Sequence, residues 1–274
     1  MKVGLSSLLF PKNSLEEIVE MTSRFEFEHI EIICDVPHFR PEFKPGELLG
    51  LKELINSYNL SVSIHAPFWD LNPASHYPGI KKLTTKQVKK SIDICSFLGG
   101  CVVTTHPGRC PIPELEPTLA MTKTLFQDFV SECLPRARDR GVTLAVENMS
   151  DITQPYWAME EFIPLIEEFE QLKITFDVGH AYIAHRRRGA REPEREIAKM
   201  MRKIKDHLAC IHLHDNRGLR DDHLLPGEGE IKFERIFKAM KENKFNGPLV
   251  IELWSPEDPL AVGRKALSSI EKFI

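Results

Sequence analysis

Imidazole and carboxylate side chains gather in one short stretch of this chain. His212 and His214 stand at the end of an apolar run from Leu208 to Leu213, and Asp221 and His223 follow in a polar loop. These donor types suit Zn²⁺, Mn²⁺ or Fe²⁺, and an Asp-x-His pair lets two ligands from one loop converge on one ion. A loop of this composition is equally at home as solvated surface. Weight comes from other apolar runs that end the same way, in His65, His106, Glu147, Asp177 and Glu252. The interiors of these runs look almost free of metal-capable groups, so the terminal ones imply one shared site rather than separate helix caps. His180, just past Asp177, joins Asp221 and His223 to bring the set to nine. A catalytic ion needs roughly three or four protein ligands plus water. The surplus implies either more ions, from one to three per chain, or acid-base and substrate-binding groups ringed around a single one.

The elements that must carry these groups follow from periodicity. Short β-rich runs lie at Lys2–Ser6, His29–Cys34, Leu60–His65, Cys101–His106, Val142–Glu147, Leu172–Asp177, Leu208–Leu213 and Leu249–Leu253. Between them come helical patterns: one capped by Asn13-Ser14 with Glu16 and Glu17 in its first turn, one within Pro45–Tyr58, and one from about Ile80 to Leu98 that stops at Gly99. Further helices are expected in Glu114–Arg140, Tyr156–Phe169, Glu194–His207, Ile231–Asn243 and Ala261–Ile274. Eight alternating strand-helix pairs imply a parallel sheet closed into a (β/α)8 TIM barrel, an α/β fold spanning 1–274 as a single domain. An open doubly wound sheet is the rival, and the glycine-free turn Ser6–Pro11 after the first strand argues against it. In a barrel the carboxyl ends of the strands meet on one rim, which is where such enzymes place their chemistry.

Composition narrows the setting. A hydrophobic content of 42% over 274 residues supports a large packed core. The formal net charge of -4 gives no general attraction to nucleic acid or anionic lipid. Cysteines 34, 95, 101, 110, 133 and 210 are widely spaced, as reduced buried thiols are, and Met1 leads straight into a strand pattern without a signal peptide or a long apolar span. A cytoplasmic protein without membrane contact is expected. The sequence leaves subunit number open.

The motifs Ser63-Ile64-His65-Ala66-Pro67-Phe68, Thr105-His106-Pro107-Gly108, Val146-Glu147-Asn148, Phe176-Asp177-Val178-Gly179-His180, His212-Leu213-His214-Asp215, Pro226-Gly227-Glu228-Gly229 and Ile251-Glu252 resemble the xylose isomerase-like TIM barrel superfamily. That superfamily joins sugar and sugar-phosphate isomerases and epimerases with endonuclease IV-type apurinic-site nucleases (AP endonuclease family 2). Resemblance to the isomerase branch implies one divalent metal (Zn²⁺ or Mn²⁺) on Glu147, Asp177, His212 and Glu252. Glu147 and Glu252 would double as the acid-base pair that moves a proton between carbons of a small sugar or sugar phosphate while the metal stabilises the enediolate, and His180 would bind substrate. Resemblance to the endonuclease branch implies three ions: one on His65, His106 and Glu147, a second sharing Glu147 with Asp177, His212 and Glu252, and a third on His180, Asp221 and His223. DNA would then be the partner and phosphodiester hydrolysis the reaction. The chain departs from the endonuclease pattern at His65-Ala66-Pro67-Phe68, at Asp177-Val178-Gly179-His180 and in the short loop from His212 to His223, which favours the isomerase branch.

Three further features bear on the substrate. Phe68-Trp69 could stack on a sugar face or a base, or pack a loop. Arg187, within Arg186–Arg188 at the start of the sixth helix, could fork onto a phosphate or sit in a solvated basic stretch. His214-Asp215-Asn216 would orient His212 and its loop. His29, His38, His76, His185 and His207 are assigned nothing.

Overall fold

The structure is a computed structural model that describes residues 1–39, 45–254 and 256–274. Eight parallel strands close on themselves in sequence order: β1 Lys2–Ser6, β2 His29–Ile33, β3 Ser61–His65, β4 Val102–Thr105, β5 Thr143–Glu147, β6 Lys173–Asp177, β7 Leu208–Leu213 and β8 Pro248–Ile251. Residue pairings such as Leu5 with Ile251 and His212 with Val250 complete the ring. The (β/α)8 barrel expected from the alternation is the fold observed.

Helices α1 Leu15–Arg24, α2 Leu49–Ser57, α3 Pro78–Leu98, α4 Glu116–Arg140, α5 Phe162–Glu168, α6 Val178–Arg187, α7 Pro193–Lys203, α8 Glu234–Glu242 and α9 Pro259–Ala266 surround it. Local chemistry sets their ends. Ser14 and Glu17 form a reciprocal capping box at the start of α1. Gly99 (φ 77°) and Gly141 (φ 65°) end α3 and α4 in the left-handed conformation that glycine adopts without strain.

Strand parity divides the core. One set of alternate residues, including Ile30, Ile32, Val62, Ile64, Val146, Phe176, Ile211 and Leu249, packs outward against the helices in the main apolar cluster. The opposite set forms the barrel interior. There a small apolar layer of Val102, Ala145, Cys210 and Val250 is interleaved with buried His29, Glu31, Ser63, Thr104 and Thr175. This overturns the expectation of strand interiors almost free of chemistry. Gly4 on β1 makes the interior possible, because a Cβ there would press into the His29 ring.

Three element boundaries also differ from expectation. An extra helix, α6, starts directly at the end of β6, so Arg186 and Arg187 lie in its last turn rather than at the start of the next helix. The pattern at Tyr156–Phe169 condenses to a 3-10 turn at Met159–Glu161 followed by the short α5. The last α-helix ends at Ala266. No described helix is long and apolar enough to cross a membrane.

Candidate functional site

The end of each strand from β3 to β8 delivers one polar side chain to the same rim. His65, Glu147 and Asp177 are the last residues of β3, β5 and β6, His212 is the next to last of β7, and His106 and Glu252 each stand one residue past β4 and β8. Glu147 is the hub. Its Oε2 lies 3.2 Å from His65 Nε2 and 3.3 Å from His106 Nε2, while its Oε1 lies 3.2 Å from His212 Nδ1 and 3.4 Å from His180 Nδ1. Glu252 Oε2 approaches the same His212 Nδ1 at 3.2 Å.

A second cluster adjoins the first. His180 Nε2 meets Asp221 Oδ2 at 2.9 Å, His223 Nε2 meets that oxygen at 3.3 Å, and His214 Nε2 lies 3.2 Å from Asp177 Oδ1. The His214 and His223 rings stack at 3.9 Å. Gly179 allows this packing, because a Cβ there would land on the His214 ring. Asp177 caps α6 by accepting the His180 N–H, and Asn148 fixes the Asp177 backbone with a pair of hydrogen bonds of 2.9 Å each.

All nine residues singled out from sequence are thus brought together, and their donor atoms fall into three groups: His65, His106 and Glu147; Glu147, Asp177, His212 and Glu252; and His180, Asp221 and His223, now joined by His214. His214 was expected only to orient its neighbours. The second group suits a divalent ion on the chemistry of its donors, three carboxylates and one imidazole, all buried. Asp177 Oδ2 is buried there without a hydrogen-bond partner among the described residues, and a carboxylate oxygen removed from water is costly unless a cation or donor meets it. Zinc and manganese both fit such donors.

Electrostatics bind the rim together. Burial would raise the Glu147 carboxyl, but the His212 charge and hydrogen bonds from His106, His212 and His65 outweigh it and hold Glu147 well below the usual range. Burial likewise opposes ionisation of Glu252, and His212 prevails, bringing it down to about 2. For His212 burial is outweighed by Glu31, Glu147 and Glu252, which keep the imidazole well above its ordinary value. Asp221 similarly overcomes burial at His223 and lifts it to about 9.

The raised histidines stabilise the metal-free fold fully below pH 6.5, and this is lost as pH climbs through about 9. The lowered glutamates stabilise it above pH 4.5, and this is lost as pH falls toward about 2. The contribution of these rim groups to the metal-free fold is therefore largest between pH 4.5 and 6.5, while His29, brought down to about 3 by burial, counts against the fold as pH falls below 6.5. Because ligands must shed protons to bind a cation, the gain in melting temperature on adding Zn²⁺ should grow from pH 5.5 to 8.5. Calorimetric melts of both forms across this range check it, and a gain that shrinks with pH would contradict it.

Above the rim lies a cavity of about 210 Å³, lined among others by Phe68, Trp69, His106, Arg109, Glu147, His180, Glu252 and Trp254. The cavity is smaller than the roughly 300–1,000 Å³ of sites for drug-sized ligands. Phe68 packs edge-on against His65, and Trp69 meets Trp254 edge to face at 4.9 Å, so the loops after β3 and β8 join over the mouth. Arg187 is not among the residues lining the cavity. It donates to Ser150 O at 2.8 Å and to Asp151 Oδ2 at 3.3 Å, and so at the end of α6 it ties that helix to the loop after β5.

Asp215 organises the loop that supplies Asp221 and His223. Its oxygens accept backbone N–H groups from Asn216, Gly227, Gly229 and Ile231 at 2.8–3.1 Å. Asp215→Ala would strand the buried donors of Asn216 and Ile231 at about 1–3 kcal/mol each, whereas those of Gly227 and Gly229 are only partly buried. A loss of at least about 2 kcal/mol in urea unfolding is expected, and a loss under about 1 kcal/mol would show that water replaces the carboxylate.

Sequence reasoning missed Glu31 and His29 inside the barrel and Trp254 on its rim. A carboxylate in the middle of an otherwise apolar strand, two positions from a histidine on the same face, was the available signal for the first pair.

Comparison with known proteins is consistent across the whole chain. An uncharacterised protein of Methanocaldococcus jannaschii is 33% identical over 257 residues, covering 92% of this chain and 83% of that one. The fructoselysine 3-epimerase of Shigella flexneri is 21% identical over 97% of this chain and 96% of its own. A crystal structure described as a D-tagatose 3-epimerase-like protein superposes with a TM-score of 0.84 at 29% identity, covering 100% of this chain and 98% of that one. Residues 19–273 match the family model for the xylose isomerase-like TIM barrel, and the chain belongs to that family, among relatives that include sugar epimerases.

Proposed function

We propose that the protein is a divalent-metal-dependent epimerase or isomerase of a small sugar or sugar phosphate. The observation that carries this reading is the pair Glu147 and Glu252, two buried carboxylates that share His212 Nδ1 at 3.2 Å each and both line the cavity. A proton next to a carbonyl group needs a base on one side to leave and an acid on the other to return, and two carboxylates flanking the sugar can divide these roles, the ionised one taking the proton and the other, holding a proton, giving one back. Glu147, Asp177, His212 and Glu252 would hold a divalent ion whose chemistry is Lewis-acid polarisation of the substrate's oxygens. His180 would hydrogen-bond a substrate hydroxyl from the adjoining cluster, while Phe68, Trp69 and Trp254 would keep water from the reacting carbon. The sugar epimerases among the relatives support the substrate class.

The test is solvent exchange. Metal-loaded protein incubated in D₂O with a panel of ketoses, aldoses and their phosphates should place deuterium at one carbon beside the carbonyl of its substrate, read by NMR. Deuterium in none of them would sink the proposal. A second reading, an endonuclease IV-like hydrolase acting on DNA phosphodiesters, draws support from the two further donor groups that flank Glu147 and Asp177.

A further inference from the structure

Below the rim a buried polar chain runs down the barrel. His212 Nε2, the ring nitrogen facing away from Glu147 and Glu252, lies 3.1 Å and 3.2 Å from the two oxygens of Glu31. The Ser63 hydroxyl donates to Glu31 Oε2 at 3.0 Å. With that proton committed, His29 Nε2 must donate to Ser63 Oγ, 2.9 Å away, leaving His29 Nδ1 facing Ser61 Oγ at 2.9 Å. Glu31, Ser63, His29 and His212 are all fully buried. A carboxylate so enclosed is expensive unless paired. The proton transfers proposed above make no use of it.

We infer that Glu31 is a positioning residue: it accepts the Nε2–H of His212, turns Nδ1 toward Glu147 and Glu252, and so sets how tightly a divalent ion is held there. Of the two ring nitrogens only one can face the ion, and a hydrogen bond to the other fixes both tautomer and ring angle. Ser63 and His29 keep the Glu31 carboxylate from turning away. This rests on the proposed reading of His212 as a ligand.

The test is Zn²⁺ and Mn²⁺ affinity of the full chain, measured by competition with a chromophoric chelator, beside the melting temperature of the metal-free form. Glu31→Ala should weaken binding about 10–100-fold, as loss of a partner behind a metal-bound histidine does. Glu31→Gln, which keeps shape and an acceptor, should weaken it less and decides the matter if the alanine variant fails to fold. Ser63→Ala should lie between Glu31→Gln and wild type. Thr104→Val breaks the 2.8 Å bond to Thr175 in the same interior, a bond separate from the chain of bonds through Glu31 and His212, and should lower the melting temperature without moving either affinity. Wild-type affinity in Glu31→Ala and Glu31→Gln overturns the inference. Loss as complete as in His212→Ala overturns it too, since Glu31 would then be a ligand itself. If the wild-type protein binds neither ion, the reading of the site falls instead.

Discussion

Glu147→Gln should lower kcat for the sugar substrate by roughly 10²–10⁴-fold, the usual worth of one general acid-base group. The substitution keeps the shape of the side chain and removes the charge toward which His65, His106, His180 and His212 all converge. Because Glu147 would also hold metal, its loss must be separated from metal loss, and exchange in D₂O does this. If the two carboxylates work on opposite sides of one carbon, each removes the proton only from the epimer that presents it. Glu147→Gln charged with metal should then still exchange the proton of one epimer, Glu252→Gln that of the other, and neither should convert one epimer into the other. Variants that retain metal and circular dichroism but lose exchange with both epimers would assign one carboxylate to metal binding alone. Full turnover in Glu147→Gln would remove it from the chemistry.

The barrel was legible because its signal is repeated. Each of eight short apolar runs is followed by a helical pattern, so an error in any one leaves the strand-helix alternation standing. The rim was legible for a related reason: a strand that ends in His, Asp or Glu breaks its own apolar run, as at His65, Glu147 and Asp177. Glu31 and His29 escaped because polar residues inside a strand are ambiguous in one dimension. Only closure of the sheet shows that His29, Ser63 and Glu31 share an interior and face His212, which is far away in sequence. The helix α6 escaped because Asp177 has two roles. It ends β6 and caps α6 at once, so strand and helix meet without a loop, and Gly179, a poor helix former, hides the start of the helical pattern while making room for His214. Arg186 and Arg187 were assigned to the wrong helix as a consequence.

One tightly held ion per chain is the expected result of elemental analysis after purification without chelator and exhaustive dialysis. The group of Glu147, Asp177, His212 and Glu252 combines three carboxylates with full burial, whereas the flanking groups have less to offer a divalent charge. His65 and His106 reach a single carboxylate, Glu147, which the first group already uses, and Asp221 is the half-exposed carboxylate of the histidine-rich cluster. A second or third cation would also stand beside the first around shared Glu147, where repulsion between like charges in a dry site is severe unless a bridging anion separates them. His106→Ala and His223→Ala should accordingly keep the ion, and their losses should appear as weaker substrate binding rather than as metal loss. Two or three ions in the wild-type protein, each lost in the matching variant together with activity, would reverse the assignment. Asp221, His214 and the rim imidazoles would then be ligands of a polynuclear centre, and a phosphodiester would replace the sugar as the substrate to offer it.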